Sequence, residues 1–313
     1  MKIGFMGTPD FAKIVLSGLL TAGHDVKVVL TQPDKARDRG KKIQYSPVKE
    51  LALENGIEVW QPVSVRSESD MGDKLRKLNL DILVVVAYGQ ILPNDVIQSA
   101  KFGTINVHAS LLPHLRGAAP IQRSIVDGDK VTGVTIMNVA EKLDAGDMIS
   151  KVEVEIGKMN YEELHDKLAH EGTKLLLDTL VKIEKGEAEY VKQDDSKATY
   201  AKMIFKQDGK IDFSLTPIQL ECKIRGFDPW PGAFAYMSGK DDPVKFWKAE
   251  PIEIVTKEED YGKVIDVNNN SFTVACGKSA IMVTEIQVPG KKRVSFSEYL
   301  KGHNDIKVGT RFE

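Results

Sequence analysis

Residues 81–88 read DILVVVAY, and positions 82–87 of this stretch are all apolar. An apolar run without alternation is typical of a central strand that is buried on both faces of a parallel sheet. Similar runs are KIGFMG at 2–7, KVVLTQ at 27–32, EVW at 58–60, TINVHAS at 104–110 and GVTIMNV at 133–139. Amphipathic stretches lie between several of these runs. This alternation predicts a Rossmann-like, mostly parallel α/β sheet covered by helices.

Helical spacing of apolar residues appears between the predicted strands. Phe11, Ile14, Val15 and Leu19 recur at intervals that place them on one face of a helix. We predict further helices at about 47–54 and 68–78, another after Pro120, and a long helix from Asn160 to about Lys185.

The chain changes character near residue 190. Residues 190–206 are polar and without strong period, which is typical of a linker. The segments that follow are short apolar runs such as AFAYM, VKFWKAE, SFTVAC and AIMVTEIQV, separated by turn signals. This pattern predicts a small β-barrel of OB-like type. We therefore expect an α/β domain at 1–189, a linker at 190–206 and a β-barrel domain at 207–313.

Composition narrows the class of protein. With 313 residues the chain is long enough for two domains. It carries 43 Lys and Arg against 45 Asp and Glu, so overall positive charge cannot be the basis of nucleic-acid binding. Any such binding must come from local basic stretches, of which 34–49 and 291–293 are the clearest. Taken alone, each stretch is more simply interpreted as a solvated loop.

Targeting and cysteine signals point to the cytoplasm. No run of about 18 apolar residues is present to cross a bilayer, and the sequence starts MKIGFMG without a signal-peptide pattern. Cys222 and Cys276 are too few for a disulfide framework or a thiolate metal site. Apart from His165 and Asp166, which we interpret as surface residues of the long helix, the histidines form no ligand-spaced pair with carboxylates, so we expect no metal.

The stretch INVHASLLPHLRGAAPIQ at 105–122 carries the strongest chemical signal. Side chains alternate along a strand, so Asn106 and His108 lie on the same face. They come at the end of a predicted central strand, where open α/β sheets bind their ligands. A histidine at a strand end can also be an ordinary core residue, but the neighbouring amide favours a functional interpretation.

A carboxylate follows the next predicted strand, in EKLDAGDMIS. Asp144 and Asp147 are both candidates, and either can instead serve as a turn residue. A carboxylate beside an imidazole orients the ring and stabilises its positive charge. Asn106, His108 and Asp144 together would form a site that suits attack by an amine on a bound carbonyl, because an amide and a charged imidazole can stabilise the oxyanion.

Other chemistries lack support in the sequence. The opening GFMGTPDF has GxxG spacing, which departs from the GxGxxG of dinucleotide-binding loops. Ser110 has no flanking glycines of the GxSxG type, so no serine nucleophile is indicated. These observations argue against a nicotinamide oxidoreductase and against a serine hydrolase.

The sequence resembles the methionyl-tRNA formyltransferase family of folate-dependent formyltransferases. The resemblance rests on NVHASLLPHLRGAAPIQ together with MGTPDFA, PDKARDRGKKIQYSPVK, VVVAYGQILP, TGVTIMNV followed by LDAGD, and IRGFDPWPGAF at 224–234. These motifs follow the family's order over both predicted domains. The resemblance implies transfer of the formyl group of 10-formyltetrahydrofolate to the amino group of methionine on initiator tRNA.

The resemblance also implies roles for individual residues. Asn106, His108 and Asp144 match the catalytic trio. The folate co-substrate would contact two segments, Tyr88, Gly89, Gln90, Ile91 and Leu92 in the first and Ser110, Leu111, Leu112 and Pro113 in the second. Contacts to tRNA would come from Arg37, Arg39, Lys41 and Lys42 and from Lys291, Lys292 and Arg293. The expected partners are methionyl-initiator tRNA and folate, with no metal and no membrane, for a cytoplasmic monomer.

The sequence departs from the family pattern at two places. His114 and Leu115 stand where the family commonly has Arg and Trp, and Arg37 and Asp38 stand where it often has Pro, Ala or Gly.

Two rival functions are left open. One rival is a formyltransferase for a small amine, and the two basic stretches argue against it. The other is a non-catalytic RNA-binding protein, and the intact trio argues against that.

Overall fold

The computed structural model describes residues 1–37 and 42–313, without the side chains of residues 35–37 and 42–43. The described residues form two compact units. The N-terminal unit comprises Met1–Pro120, Val131–Glu155 and His165–Ala201, and the C-terminal unit comprises Ile121–Lys130, Ile156–Leu164 and Lys202–Glu313. The predicted domain bounds of 1–189, 190–206 and 207–313 stay a prediction.

Strands and helices alternate through the first half of the chain. The strands are β1 (Lys2–Gly7), β2 (Asp25–Leu30), β3 (Lys35–Arg37), β4 (Lys42–Gln44), β5 (Glu58–Trp60), β6 (Ile82–Val86), β7 (Thr104–His108), β8 (Arg116–Gly117), β9 (Val131–Asn138) and β10 (Met148–Glu155). The helices are α1 (Asp10–Thr21), α2 (Pro47–Glu54), α3 (Met71–Lys77), α4 (Asn94–Ile97), α5 (Pro120–Val126) and α6 (Tyr161–Lys185). Among the described residues, no helix is both long and apolar enough to span a bilayer.

A seven-stranded sheet organises the N-terminal unit, in the order β10-β9-β7-β6-β1-β2-β5. The five strands from β7 to β5 are mutually parallel, whereas β9 and β10 run antiparallel to their neighbours. All five residues of β6 are buried, which agrees with its apolar sequence and central position. The predicted mostly parallel α/β sheet is therefore confirmed.

The order of the strands reverses between β1 and β6. From β1 the chain moves outward to β2 and β5, and it then returns to β6 and continues to β7 on the other side. Doubly wound sheets bind ligands beyond the carboxyl ends of the strands at such a reversal. The loop after β1 and the loop after β6 lie at this position. The second of these loops contains the predicted folate segment at 88–92.

The C-terminal unit is built on an antiparallel sheet. Its strands are β12 (Ala233–Tyr236), β13 (Pro243–Ile252), β14 (Val264–Val267), β15 (Phe272–Cys276), β16 (Ser279–Gln287) and β17 (Val294–Ser295). Its helices include α7 (Pro217–Gly226) and α8 (Phe296–Leu300). The preceding two-residue strand β11 (Tyr200–Ala201) belongs to the N-terminal unit, where it pairs with β8. The sheet order is β12-β13-β16-β15-β14, with β17 beside β16. The predicted β domain is thus confirmed as an antiparallel sheet.

The C-terminal tail joins the two edges of this sheet. Phe312 bridges to Met237 just after β12, and Arg311 bridges to Lys263 just before β14. The side chain of Phe312 is 2% exposed and lies 5.2 Å from the ring of Phe246, measured between centroids. The tail therefore covers both strand edges, which would otherwise offer unpaired backbone groups.

Replacing Phe312 with Ala is expected to destabilise the C-terminal unit by about 3 to 5 kcal/mol, because it removes a buried aromatic ring from a packed cluster. Urea unfolding followed by tryptophan fluorescence, to which the buried Trp247 of β13 contributes, measures this change. The matched control is Phe205→Ala, whose ring is 52% exposed. The control should change the free energy of unfolding by less than about 0.5 kcal/mol. Equal losses would contradict the role of Phe312.

Several elements differ from the sequence prediction. Strand β10 was not predicted, because it lies at the sheet edge and only Val154 of its eight residues is buried. The hairpin β3–β4 occupies part of the basic stretch for which a loop was expected. Helix α7 was also missed, although Thr216 and Gln219 form a capping box with Pro217 at its first position. That triplet was a readable helix signal.

Candidate active site

Strand β7 presents Asn106 and His108 at its carboxyl end. Asn106 pairs in register with Val85 of β6 and Met137 of β9, and His108 pairs with Thr135. The spacing of two residues puts both side chains on one face of the sheet. The imidazole of His108 is 6% exposed. Asn106 is partly buried, and its side-chain amide makes no hydrogen bond to any other described residue, so it is available to a ligand.

Both ring nitrogens of His108 face oxygen atoms. Nε2 lies 3.0 Å from the carbonyl oxygen of Leu115, a hydrogen-bond distance. Nδ1 lies 3.8 Å from Oδ2 of Asp144. The ring therefore lies between a backbone carbonyl oxygen and a carboxylate. The carboxylate of Asp144, rather than that of Asp147, contacts the histidine.

Leu115 and Asp144 both adopt left-handed backbone conformations. Their φ angles are 58° and 49°. Such conformations are unfavourable for residues other than glycine, above all for a bulky leucine, and they concentrate at functional sites. The two residues that touch the imidazole of His108 are therefore held in strained positions by their surroundings.

A second set of polar contacts surrounds the Asp144 loop. Oδ2 of Asp144 accepts a hydrogen bond from the backbone N–H of Gly117 at 2.8 Å. Gln193 donates to the carbonyl oxygens of Asp144 and Gly146, and it accepts from Arg116. Sequence reasoning missed Gln193, because it lies in the polar stretch predicted as a linker, where no pattern distinguishes it. Arg116 was part of a quoted motif without a role.

The first predicted folate segment, residues 88–92, lies in a loop with two residues in the left-handed backbone conformation, Ala87 and Gly89. Tyr88 lies in the core, and burial raises the pKa of its hydroxyl. Its carbonyl oxygen accepts from Gln32 at 3.0 Å. Leu92 is also buried, whereas Ile91 is 69% exposed. Hence Tyr88 and Leu92 anchor the loop.

Gln90 and its neighbours leave backbone groups available. The Gln90 amide accepts from the backbone N–H of Val65 at 2.7 Å and donates to the Pro62 carbonyl at 3.3 Å. The backbone N–H and C=O groups of residues 89–92 make no hydrogen bond to other described residues. A ligand at this loop could therefore bond directly to the main chain.

The second predicted folate segment is held from behind. Ser110 is fully buried, and its hydroxyl donates to the carbonyl of His114 at 2.6 Å. Thr135 accepts from the N–H of Leu112 at 3.1 Å, and Leu112 is buried. Leu111 and Pro113 are partly exposed. Ser110 and Leu112 thus fix the turn, and Leu111 and Pro113 are the members that a ligand can reach.

The first group of predicted tRNA contacts lies on or beside the β3–β4 hairpin. Arg37 pairs in register with Lys42 across the two strands. Arg39 and Lys41 lie outside the described residues.

The second group lies in the C-terminal unit. Lys291 and Lys292 are exposed. Arg293 instead bonds to Asp228 at 2.8 Å and to Glu285 at 2.6 Å. Burial opposes its charge, but these two carboxylates outweigh that effect and raise the pKa of Arg293. Arg293 is therefore already paired, whereas the two lysines are open to solvent.

Family models match both halves of the chain. Residues 1–180 match the formyl transferase family, and residues 203–304 match the family described as formyl transferase, C-terminal domain. Relatives that match over nearly their full length are methionyl-tRNA formyltransferases. The chain is 46% identical to the methionyl-tRNA formyltransferase of Lachnospira eligens, covering 99% of this chain and 98% of that protein. It is also 46% identical to the methionyl-tRNA formyltransferase of Sulfurihydrogenibium sp., covering 100% of both.

Solved structures share the fold at lower identity. A sugar 3N-formyl transferase determined in the presence of dTDP and 5-N-formyl-THF has a TM-score of 0.66 and 19% identity, covering 93% of this chain and 99% of that chain. HypX from Aquifex aeolicus in complex with tetrahydrofolic acid has a TM-score of 0.62 and 16% identity, covering 96% of this chain and 47% of that chain.

Proposed function

Because this chain belongs to the formyl transferase family, and within it to the methionyl-tRNA formyltransferases, we propose that it transfers the formyl group of 10-formyltetrahydrofolate to the amino group of methionine on initiator tRNA. The observation that carries the proposal is the juxtaposition of Asn106, His108 and Asp144. The trio supplies an amide donor, an imidazole and a carboxylate but no nucleophile. This set suits direct attack by the substrate amine on the formyl carbon. We further propose a monomer that acts in the cytoplasm without a metal.

The folate co-substrate is proposed to bind at the loop after β6. The free backbone groups of residues 89–92 suit the amide-like edge of a pterin ring. Exposed apolar side chains, Ile91 and Leu143, suit its faces. Asn94 bonds to Glu141 at 2.9 Å and so ties together the two loops that carry these apolar side chains. When bound, the folate supplies the formyl group on its nitrogen.

Asn106 is proposed to stabilise the charge that develops on the formyl oxygen. Attack by the methionine nitrogen on the formyl carbon pushes electrons onto that oxygen. The side-chain amide of Asn106 has no other partner among the described residues and can donate to it. Once His108 has accepted the proton of the amine, its charged ring, on the same face of β7, adds positive charge nearby.

His108 and Asp144 are proposed to manage the proton. The new bond joins the formyl carbon to the methionine nitrogen, and the bond to the folate nitrogen breaks. A proton must therefore leave the methionine nitrogen and reach the folate nitrogen. An imidazole beside a carboxylate can accept and return a proton, which is the usual task of a general acid and base. Asp144 holds the charged ring in place.

The test is formyl transfer from 10-formyltetrahydrofolate by the purified protein. We expect product with methionine-charged initiator tRNA and none with free methionine or uncharged tRNA. Formylation of a small amine, with no product on charged tRNA, would overturn the proposed substrate. Folate and tRNA binding without any product would favour the non-catalytic alternative.

Two surfaces are proposed to bind tRNA phosphates. One is the hairpin region with Arg37, Arg39, Lys41 and Lys42. The other contains Lys291, Lys292 and Arg293. Because Arg293 is engaged with Asp228 and Glu285, we propose that it supports the second surface while the two lysines make the contacts.

Changing Lys41 and Lys42 together to Ala is expected to weaken tRNA binding and to flatten its salt dependence. Each lost phosphate contact reduces the slope of log K against log salt by about 0.7 to 0.9. Folate affinity should not change. The measurement is tRNA affinity as a function of salt concentration. Lys182→Ala with Lys185→Ala is the matched control, because both lysines are exposed near the end of α6. An unchanged slope in the Lys41 and Lys42 variant would exclude this region from the interface.

A further inference from the structure

Gln193 joins the two segments that contact His108. Resting on the function proposed above, we propose that Gln193 and Arg116 form a positioning clamp that holds the carboxylate of Asp144 against the imidazole. Neither residue contacts the reacting atoms in this arrangement. Both act through Asp144 and through the turn that carries Leu115.

The amide of Gln193 makes four hydrogen bonds with oxygen or nitrogen partners, besides a long contact from Nε2 to Sδ of Met137 at 3.8 Å. Nε2 donates to the carbonyl oxygens of Asp144 and Gly146, each at 2.8 Å. Oε1 accepts from Nε of Arg116 at 3.0 Å and from Nη2 at 2.8 Å. The reverse orientation would point two N–H groups at a guanidinium and an oxygen at two carbonyls. The side chain is therefore matched to these partners as an amide.

Arg116 is fully buried, which is rare for arginine. Its Nη2 also bonds to Asp195 at 2.7 Å, and Asp195 bonds to Lys142 at 2.8 Å. The hydrogen bonds from Lys142 and Arg116 lower the pKa of the Asp195 carboxyl. Lys142 lies two positions before Asp144 in the same loop. The clamp therefore holds the loop on both sides of the catalytic carboxylate.

The backbone on either side of Arg116 contacts the catalytic pair itself. The carbonyl of Leu115 accepts from Nε2 of His108 at 3.0 Å, and the N–H of Gly117 donates to Oδ2 of Asp144 at 2.8 Å. The N–H of Arg116 is tied to the carbonyl of Thr199 at 2.9 Å. A shift of Arg116 would thus move the partner of each catalytic side chain.

Backbone strain explains why a clamp is needed. Asp144 has a φ of 49°, and a Cβ on Gly146 would lie 1.8 Å from the carbonyl oxygen of Asn138. The loop is therefore tightly folded and would relax if its carbonyl groups lost their donors. The guanidinium also keeps one buried nitrogen, Nη1, without a partner among the described residues. A buried nitrogen without a hydrogen-bond partner lowers the stability of the fold. Stability alone therefore does not explain an arginine at this position, and a role in positioning is favoured.

The first test is the variant Gln193→Ala, assayed for formyl transfer to charged tRNA. We expect kcat to fall about 10-fold to 100-fold, because small displacements of a reacting geometry carry penalties of this size. KM for folate and for tRNA should change less than about 2-fold, since the proposal assigns Gln193 contacts with Asp144, Gly146 and Arg116 and none with either ligand. Loss of affinity at unchanged kcat would overturn the proposal.

A double-mutant cycle with Asp144→Asn separates positioning from a purely structural role. If Gln193 acts through the carboxylate, Gln193→Ala should lower kcat less than about 2-fold in the Asp144→Asn background. A full additional loss in that background would overturn the proposal. The variant Gln193→Glu keeps an acceptor for Arg116. Its carboxylate oxygen would, however, replace the N–H donor that bonds to the carbonyl oxygens of Asp144 and Gly146, and oxygen would then face oxygen. It should lose at least as much kcat as Gln193→Ala, and full activity would contradict the clamp.

Stability is controlled with a second buried polar group in the same unit. Thr179 is 1% exposed and bonds to Ser150 at 2.6 Å. Thr179→Val should lower the melting temperature and leave kcat unchanged. Failure of the clamp differs from failure of the proposed function. If only the clamp is wrong, the unmodified protein formylates charged tRNA and Gln193→Ala is equally active. If the proposed function is wrong, the unmodified protein itself gives no product.

Discussion

His108→Ala is expected to lower kcat for formyl transfer on the order of 1,000-fold while the affinity for tRNA changes little. The imidazole lies between the Leu115 carbonyl and the Asp144 carboxylate, and its loss removes the group proposed to carry the proton. General acid and base groups typically contribute 100-fold to 10,000-fold in rate. Single-turnover assays with charged tRNA, together with tRNA binding measured separately, give the two quantities.

His108 is buried, so its removal could also affect folding. His108→Gln is the companion variant, because an amide of similar reach can still donate to the Leu115 carbonyl but cannot carry a proton. We expect it to fold with near-normal melting temperature and to remain about as inactive as His108→Ala. Recovery of turnover in His108→Gln would show that packing, rather than proton transfer, explains the loss.

Asp144→Asn is expected to lower kcat about 100-fold to 10,000-fold with little change in stability. Asparagine keeps an oxygen that can accept from the N–H of Gly117, so the loop retains this bond. It loses the negative charge that faces Nδ1 of His108. The same assay measures the effect, and thermal unfolding measures stability.

Asp147→Asn is the matched control for this substitution. Asp147 lies three positions further along the same loop and is also partly buried. Unlike Asp144, it forms no ion pair with His108. We expect less than about a 2-fold change in kcat. Similar losses in both variants would indicate a general effect of charge on the loop and would argue against a specific pairing of Asp144 with His108.

Much of the sheet could be predicted because its sequence repeats a simple pattern. KIGFMG at 2–7 coincides with β1, and the apolar run at 81–88 contains β6. Helix α6 begins and ends close to the predicted bounds of 160 and 185. Edge strand β10 escaped prediction, since one face of it meets solvent and its residues are largely charged or half-buried.

The direction of β9 could not be predicted from its residues. It runs antiparallel to β7, so its end at Asn138 lies beside Ile105, near the start of β7. Parallel strands would have brought the following loop to the carboxyl end directly. The loop must instead fold back to bring Asp144 to His108, and it does so with a left-handed residue at position 144.

Local sequence by itself indicated Asn106 and His108 as candidates for the proposed chemistry. The spacing of two puts Asn106 and His108 on one face of a strand, because side-chain alternation is a property of the extended backbone. Only the tertiary structure decided that Asp144 meets His108, that Arg293 is paired with Asp228 and Glu285, and that Gln193 ties the loop to Arg116. Arg293 and Asp228 lie 65 positions apart along the chain, and Gln193 and Arg116 lie 77 positions apart. Contacts over such separations depend on how strands and loops pack, and no local pattern encodes them.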